Sequence, residues 1–212
     1  MNVCYPPSAL MGSTAFEPEP DISVNTVIVG GGPAGVAPLI AASRANALAD
    51  VLAGGLAIVE RGSAIGIGRI GTYAINSDST ADTLVNCVLE NPHALIGGLR
   101  DHAATKAVMA YGRGSVPLHL VGSLMGVVGG VLQQIMTVGN ENKVVLHHEA
   151  VHTQRTRDGL WETRIRCLAA GTIRTIRSRV VILATGGHQP CEQLESQYVG
   201  GGYPCCRATR AS

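Results

Sequence analysis

The amino-acid sequence predicts an α/β domain built on a parallel sheet, and three features carry that expectation. A β-branched run, Thr26-Val27-Ile28-Val29, leads into a glycine-rich turn, an Ala/Leu-rich helical stretch and a second apolar run, Leu56–Val59. Strand, turn, helix and strand within this length make a βαβ unit, with parallel strands and a right-handed crossover. A third apolar run, Val180-Val181-Ile182-Leu183, again ends in small residues, Ala184-Thr185-Gly186-Gly187. The first two runs, short and without alternation, read as strands covered on both faces, as in parallel sheets.

The elements follow in chain order. Residues 1–22 hold Pro6, Pro7, Pro18 and Pro20 with no repeating apolar positions, and read as a loose leader. The domain spans 23–190. Its first helix is expected over 34–52, with Pro38 removing a backbone donor near the start. The second strand runs over 56–60. Residues 61–79 are rich in Gly, Ser, Asn and Asp, and read as an extended loop lying over something bound. Helices are expected over 81–89, 94–110 and 117–138. Four β-prone pieces come next, over 143–147, 150–155, 161–168 and 172–177, and the turns Arg157-Asp158-Gly159 and Ala169-Ala170-Gly171 predict an antiparallel meander. Residues 191–212 form an irregular tail.

Composition limits the function classes. With 212 residues, 46% hydrophobic and only 15% charged, the chain has material for one large core. A net charge of +1 gives no electrostatic case for nucleic acid, an anionic membrane surface or a polyacidic partner. Six scattered cysteines make no disulfide scaffold, and the N-terminus lacks a basic region followed by an apolar one, so a reducing, cytoplasmic location is the default. The longest apolar run, 116–138, is interrupted by His119, Gly129-Gly130, Gln133 and Gln134, and reads as a buried helix rather than a membrane span.

The segment with most chemical content is Gly30-Gly31-Gly32-Pro33-Ala34-Gly35, which matches G-x-G-x-x-G directly after a strand. Gly30 permits the sharp turn, Gly32 has no Cβ to obstruct a pyrophosphate, and Gly35 lets the helix approach the sheet. The helix N-terminus then offers free N–H groups and partial positive charge to phosphates. Glu60 ends the second strand, a little beyond the usual offset of about 20 residues, where a carboxylate accepts hydrogen bonds from ribose hydroxyls. The alternative is a solvated strand-end acid. An acid here also disfavours a 2′-phosphate.

Together these residues resemble the FAD-binding motif of the two-dinucleotide-binding-domain flavoproteins, which include monooxygenases, halogenases and reductases. The strand ending in Ala184-Thr185-Gly186 is similar to a second motif of the same family, and the meander fits its Rossmann-like FAD/NAD(P)-binding domain, in which a β-meander crossover replaces a helix. The resemblance implies that Gly30, Gly32, Pro33, Ala34 and Gly35 approach the FAD pyrophosphate. It implies that Glu60 binds the adenosine ribose with Arg61 beside it, that the Val151 backbone meets adenine, and that Ala184, Thr185 and Gly186 line the adenosine side. The loop 66–73 falls where these proteins cover the pyrophosphate and the flavin edge. Arg69 there is either a phosphate partner, its guanidinium offering a planar set of donors, or a solvent-facing residue. Asp78 or Ser79 is expected to cap the helix that begins near Ala81.

The implied activity is that of an FAD-dependent, monooxygenase-like oxidoreductase acting on a small organic substrate, with NAD(P)H as a candidate electron donor. One departure stands against the family pattern: no Gly-Asp segment follows Gly186, so the resemblance covers about the N-terminal half of a typical member. A partial flavoprotein, or a site completed by another copy or a partner subunit, is therefore expected. A non-catalytic accessory chain that keeps the dinucleotide fold is the second reading, and an ordinary NAD-dependent dehydrogenase is a third. No residue stands out as a catalytic acid or base, and no C-x-x-C, Gly-x-Ser-x-Gly or Gly-Lys-Ser/Thr loop is present. His188, Cys191, Cys205 and Cys206 match no common zinc spacing, so no metal is expected.

Overall fold

The computed structural model describes residues 21–138 and 141–186. The residues of the expected tail, with Gly187, His188, Cys191, Cys205 and Cys206, and all of the leader except Asp21 and Ile22, lie outside them.

The first strand, β1 (Ile22–Val29), starts within the stretch expected to be leader, because Ile22 pairs with Ile176. It is followed by α1 (Pro33–Arg44), α2 (Leu48–Ala53) and β2 (Leu56–Val59). The single helix expected over 34–52 is thus two. Asn46 adopts φ 56°, the left-handed conformation that ends helices and that asparagine tolerates better than most residues, and its N–H closes on the Ser43 carbonyl. Pro38, by contrast, does not break α1. It is exposed, as is Ala34, whose carbonyl would have received its missing N–H, so water can satisfy that oxygen while Val36, Leu39, Ile40 and Ser43 remain buried.

A small antiparallel pair, β3 (Asn76–Thr80) and β4 (Ser115–Pro117), encloses α3 (Ala81–Leu89), α4 (Ala94–Gly97) and α5 (Ala103–Met109). Neither strand is foreseen by the sequence, since β3 is polar throughout and β4 is only three residues long. The helix expected over 94–110 is divided by a 3-10 turn, Gly98–Asp101, and His102 caps α5 by accepting the Ala104 N–H on Nδ1. Neither Asp78 nor Ser79 caps α3. Thr80 does, through Thr83 N–H and Oγ1.

The long helix α6 (Leu118–Met136) precedes β5 (Lys143–Val145), β6 (His148–Arg155), β7 (Trp161–Cys167) and β8 (Ile173–Leu183). Six strands form one sheet in the order β5-β2-β1-β8-β7-β6, the first four mutually parallel and the last two antiparallel. This is the Rossmann-like α/β architecture with a β-meander crossover. Two details differ from expectation. β5 joins the parallel sheet beside β2 rather than the meander, and the stretches 172–177 and 180–183 are one strand that pairs with β7 from Ile173 to Ser178 and with β1 from Ile176 to Leu183.

Alternation along β1 and β2 sends side chains to two cores. Ile28 and Ile58 join Val36, Leu39, Leu124, Val128 and Leu132 under the helices. Val27, Ala57 and Val59 face the other way, against Val145, Ile165 and Ile176, where the meander packs. Among the described residues, α6 is long and apolar enough to cross a membrane by length and composition, yet it buries Val121, Leu124, Val128, Leu132 and Met136 in the first core.

Candidate dinucleotide site

The C-terminal ends of β1, β2 and β8 converge, and hydrogen bonds continue past the strands. Gly30 N–H donates to the Val59 carbonyl (2.8 Å), Glu60 N–H to Val145 (2.9 Å) and Ala184 N–H to Val29 (2.8 Å). Gly30, Glu60 and Ala184, distant in sequence, are thereby placed side by side. This is the end of an open α/β sheet where ligands bind.

The turn itself is a test of what each glycine is for. Gly30 has φ 99°, and a Cβ there would lie 2.3 Å from the Ala184 carbonyl oxygen. At Gly35 a Cβ would lie 1.8 Å from the Gly30 oxygen, so only glycine lets α1 start this close to the strand. Gly31, nominally a free position, is closed by the Ile65 side chain at 2.8 Å. Gly32 is different: the nearest atom to a Cβ there is the Gly68 Cα, at an ordinary 3.4 Å. Among the described residues, no side chain plugs this part of the turn. Gly32 is the N-cap of α1 and Pro33 its first residue, a position where proline loses nothing because that N–H has no helical partner. No hydrogen bond among the described residues uses the Gly32 N–H, and Ala34 occupies a first-turn position whose N–H has no acceptor within the helix.

Glu60 faces this turn. Its Oε2 accepts the Gly31 N–H at 2.6 Å and its Oε1 accepts the Gly62 N–H at 2.7 Å, which fixes the carboxylate beside the glycines while leaving lone pairs on both oxygens. Arg61 turns away: its Nε is 3.4 Å from Glu149 Oε2, and its side chain is 74% exposed. Glu149 also accepts from Arg166 Nε at 2.9 Å and from Nη2 of the same guanidinium. That hydrogen bonding, with the charges of Arg166 and Arg61, holds the Glu149 carboxyl below the usual carboxylate range. The Glu149–Arg166 clamp is absent from the sequence reading. Only the cross-strand pairing of β6 with β7 brings the two together, and that register is not visible locally.

Val151 lies at a break in that register, between the pairs Ala150–Ile165 and His152–Arg164. A residue inserted in this way stands outside the ladder, with its backbone groups available to something else. The start of β6 abuts the end of β2, through His148 N–H to the Glu60 carbonyl (3.1 Å). Thr185 and Gly186 are exposed beyond β8, Gly186 with φ 69°. Arg69 is exposed and makes no salt bridge among the described residues; its carbonyl accepts from Thr72 N–H and Oγ1.

A separate cavity of 330 Å³ lies between Leu48, Leu52, His93, Ile135, Val138 and Asn142. Asn142 Oδ1 accepts the N–H of Leu56, the first residue of β2, so this cavity sits at the opposite end of the sheet from Glu60. No cluster of metal-ligating side chains occurs among the described residues. Burial pushes the Cys87 thiol up, and Cys87 packs as a small hydrophobe.

Taken together, the fold is that of a Rossmann-like α/β domain with a glycine-rich turn at the C-terminal end of its sheet. No family model matches the chain. A curated relative, CMP-5'-(3-aminopropyl)phosphonate hydroxylase of Streptomyces rubellomurinus (strain ATCC 31215), is 35% identical over 106 residues, which cover 49% of this chain and 24% of that protein. Among solved structures, the polycyclic ketone monooxygenase of the thermophilic fungus Thermothelomyces thermophila matches 81% of this chain and 24% of its own, at 15% identity and a TM-score of 0.50. The flavin-dependent monooxygenase PieE, solved in complex with FAD and substrate, matches 79% of this chain and 31% of its own, at 19% identity and a TM-score of 0.46. The chain has the fold of the polycyclic ketone monooxygenase over the part that it spans. That part is about a quarter of the hydroxylase and of the polycyclic ketone monooxygenase, smaller than the half expected from the motifs.

Proposed function

We propose that this chain is the FAD-binding part of a flavin-dependent monooxygenase of the hydroxylating kind. The observation that carries the reading is Glu60, held by Gly31 N–H beside a turn whose Gly32 is bordered, among the described residues, by main chain alone. A carboxylate there binds the ribose hydroxyls of an adenosine, and the free N–H groups of Gly32 and Ala34, at the positive end of α1, receive a pyrophosphate. Arg69 adds a cation near the phosphates, and Val151 presents its backbone to the adenine edge. Ala184, Thr185 and Gly186 complete the adenosine side, with Arg61 held at its margin by Glu149. The identity with a hydroxylase over half of this chain supports the hydroxylating type.

FAD, when bound, supplies the redox chemistry of oxygen activation, which no amino-acid side chain provides. The protein's own share is binding and orientation. Glu60 selects a free ribose over a 2′-phosphorylated one by charge repulsion, and Pro33, by lacking an N–H, leaves the Gly32 and Ala34 donors as the pair that meets phosphate. The substrate is a small organic molecule, and reducing equivalents come from NAD(P)H or a reductase.

The test is direct. Purified protein should carry a flavin absorbance spectrum, or acquire it on addition of FAD, and release FAD on denaturation and chromatography. Well-folded protein that releases NAD, or that binds no nucleotide, overturns the proposal. Anaerobic mixing with NADH and with NADPH then identifies the donor by bleaching of the flavin band.

A further inference from the structure

The sequence contains a second set of glycines that the G-x-G-x-x-G motif does not account for, and they meet in space. Gly122, Gly126 and Gly129 recur at i, i+4 and i+7 along α6 and therefore lie on one helix face. Against that face lies the loop 65–71, by contacts too close to admit side chains. A Cβ on Gly129 would stand 2.0 Å from the Ile65 carbonyl oxygen, and one on Gly122 would stand 2.5 Å from the Gly71 Cα. Reciprocally, a Cβ on Gly66 would stand 2.0 Å from the Met125 oxygen and 2.9 Å from the Gly129 Cα. Gly126 meets the Ile67 side chain at an ordinary 3.7 Å.

The other side of the same loop touches the candidate site. Gly66 N–H donates to the Gly31 carbonyl at 2.6 Å, the Ile65 side chain packs on Gly31, and Gly68 borders Gly32. Arg69 follows at once. The loop is therefore fixed between two glycine surfaces, one on α6 and one on the turn before α1.

We propose that the glycine face of α6 is the seat that positions the loop 65–71 over the phosphate side of the nucleotide site, with Gly122 and Gly129 as positioning residues for dinucleotide binding. This rests on the flavin-nucleotide reading above. The loop carries no regular structure between Ile65 and Arg69, so its place over Gly32 depends on what lies behind it. A methyl group at either end of the seat moves the loop toward the turn, closing the space beside Gly32, or releases it from Gly31, taking Arg69 away.

Gly130 supplies an internal control, because among the described residues a Cβ there meets nothing within 4 Å although it stands next to Gly129 in the same helix. Amide hydrogen exchange of the flavin-free protein is compared for the wild type, Gly129→Ala, Gly122→Ala and Gly130→Ala, with thermal unfolding and FAD titration of each. In Gly129→Ala and Gly122→Ala the amides of 66–72 exchange at least tenfold faster, those of β1 and α1 are unchanged, and the FAD dissociation constant rises at least tenfold. In Gly130→Ala the exchange of 66–72 and the FAD dissociation constant stay at wild-type values. Should Gly129→Ala fail to fold, Gly122→Ala decides, since its close contacts are with Gly71 at the end of the loop and it meets Ile67 only at an ordinary 3.6 Å. Exchange of 66–72 in Gly122→Ala equal to that in Gly130→Ala overturns the seat, as does unchanged FAD affinity in a variant whose loop exchanges faster. A wild type that binds no flavin overturns the function proposed above, while the exchange comparison still reads the seat by itself.

Discussion

Two glycine-rich regions of this molecule do different work. In the turn before α1, Gly30 and Gly35 are glycines because main chain approaches main chain, while Gly32 is bordered at no more than ordinary contact distance. In the contact between α6 and the loop 65–71, Gly66, Gly122 and Gly129 meet backbone atoms from residues more than 50 positions away, and none of them faces an open space. The first region has a local logic that a short motif can express. The second exists only once the chain has folded.

The largest effect that separates the roles within the turn is expected from Gly35→Ala. Its Cβ would collide with the Gly30 oxygen at 1.8 Å, and neither atom belongs to a flexible side chain, so α1 has to move off the sheet. Overpacking of this kind costs about 1–3 kcal/mol or more. The melting temperature should fall sharply and FAD binding should go with it. Retention of wild-type stability would mean that the helix does not lie where the structure puts it.

Next in size is Glu60→Ala, which leaves the N–H groups of Gly31 and Gly62 without their acceptor. Gly31 is buried, so an unsatisfied donor there costs about 1–3 kcal/mol. FAD affinity should fall by more than the stability loss alone explains, because the ribose contact disappears as well. Glu60→Gln separates the two losses: it keeps one acceptor oxygen, yet turns an amide donor toward the other N–H. Equal FAD affinity in all three proteins would remove Glu60 from the site.

Gly32→Ala sharpens the contrast with Gly35. A methyl group here meets only the Gly68 Cα at 3.4 Å, so thermal stability should change little. The methyl does occupy the space that a pyrophosphate needs, and the FAD dissociation constant should rise at least tenfold. A variant that melts normally and still binds FAD as the wild type does would place the phosphates elsewhere.

These expectations also mark what was legible in the sequence. The βαβ unit, its parallel strands and the strand ending at Leu183 follow from short apolar runs punctuated by glycine, and Glu60 follows from its place at a strand end. Such signals are local. The break at Asn46 was missed because a left-handed asparagine costs little and leaves no gap in the apolar pattern, and the β3–β4 pair was missed because a polar strand of five residues and one of three carry no apolar periodicity. The membership of β5 in the parallel sheet was misread because three residues, Lys143–Val145, look the same in either kind of pairing. Glu149 and Arg166 meet through strand register, and the α6 seat through tertiary packing, neither of which a single sequence displays.

A smaller, pH-dependent effect belongs to the edge of the site. Glu149 has its carboxyl lowered from an ordinary 4.5 by hydrogen bonding to Arg166 and by the nearby charge of Arg61. A lowered value in the folded state means that this contribution is fully present above the ordinary carboxylate range and is lost as pH falls through the folded value. Glu149→Gln should therefore melt below the wild type at pH 7, with the difference narrowing as pH drops below the ordinary value. A gap that persists unchanged down to pH 3 would assign the loss to packing instead of charge.

The smallest effect is expected from Gly130→Ala, and it bears most directly on the comparison between the two regions. Replacing an exposed helical glycine by alanine removes unfolded-state freedom and favours the helix by up to about 1 kcal/mol, provided that nothing obstructs the methyl group. Among the described residues nothing does at this position, whereas one residue earlier a methyl group would meet the Ile65 carbonyl. Adjacent glycines in one helix should thus respond with opposite sign, Gly130→Ala raising the melting temperature slightly and Gly129→Ala lowering it. If both lower it, the helix itself depends on glycine at these positions; if both raise it, the loop does not rest on α6, and the second glycine region has no structural reason to exist.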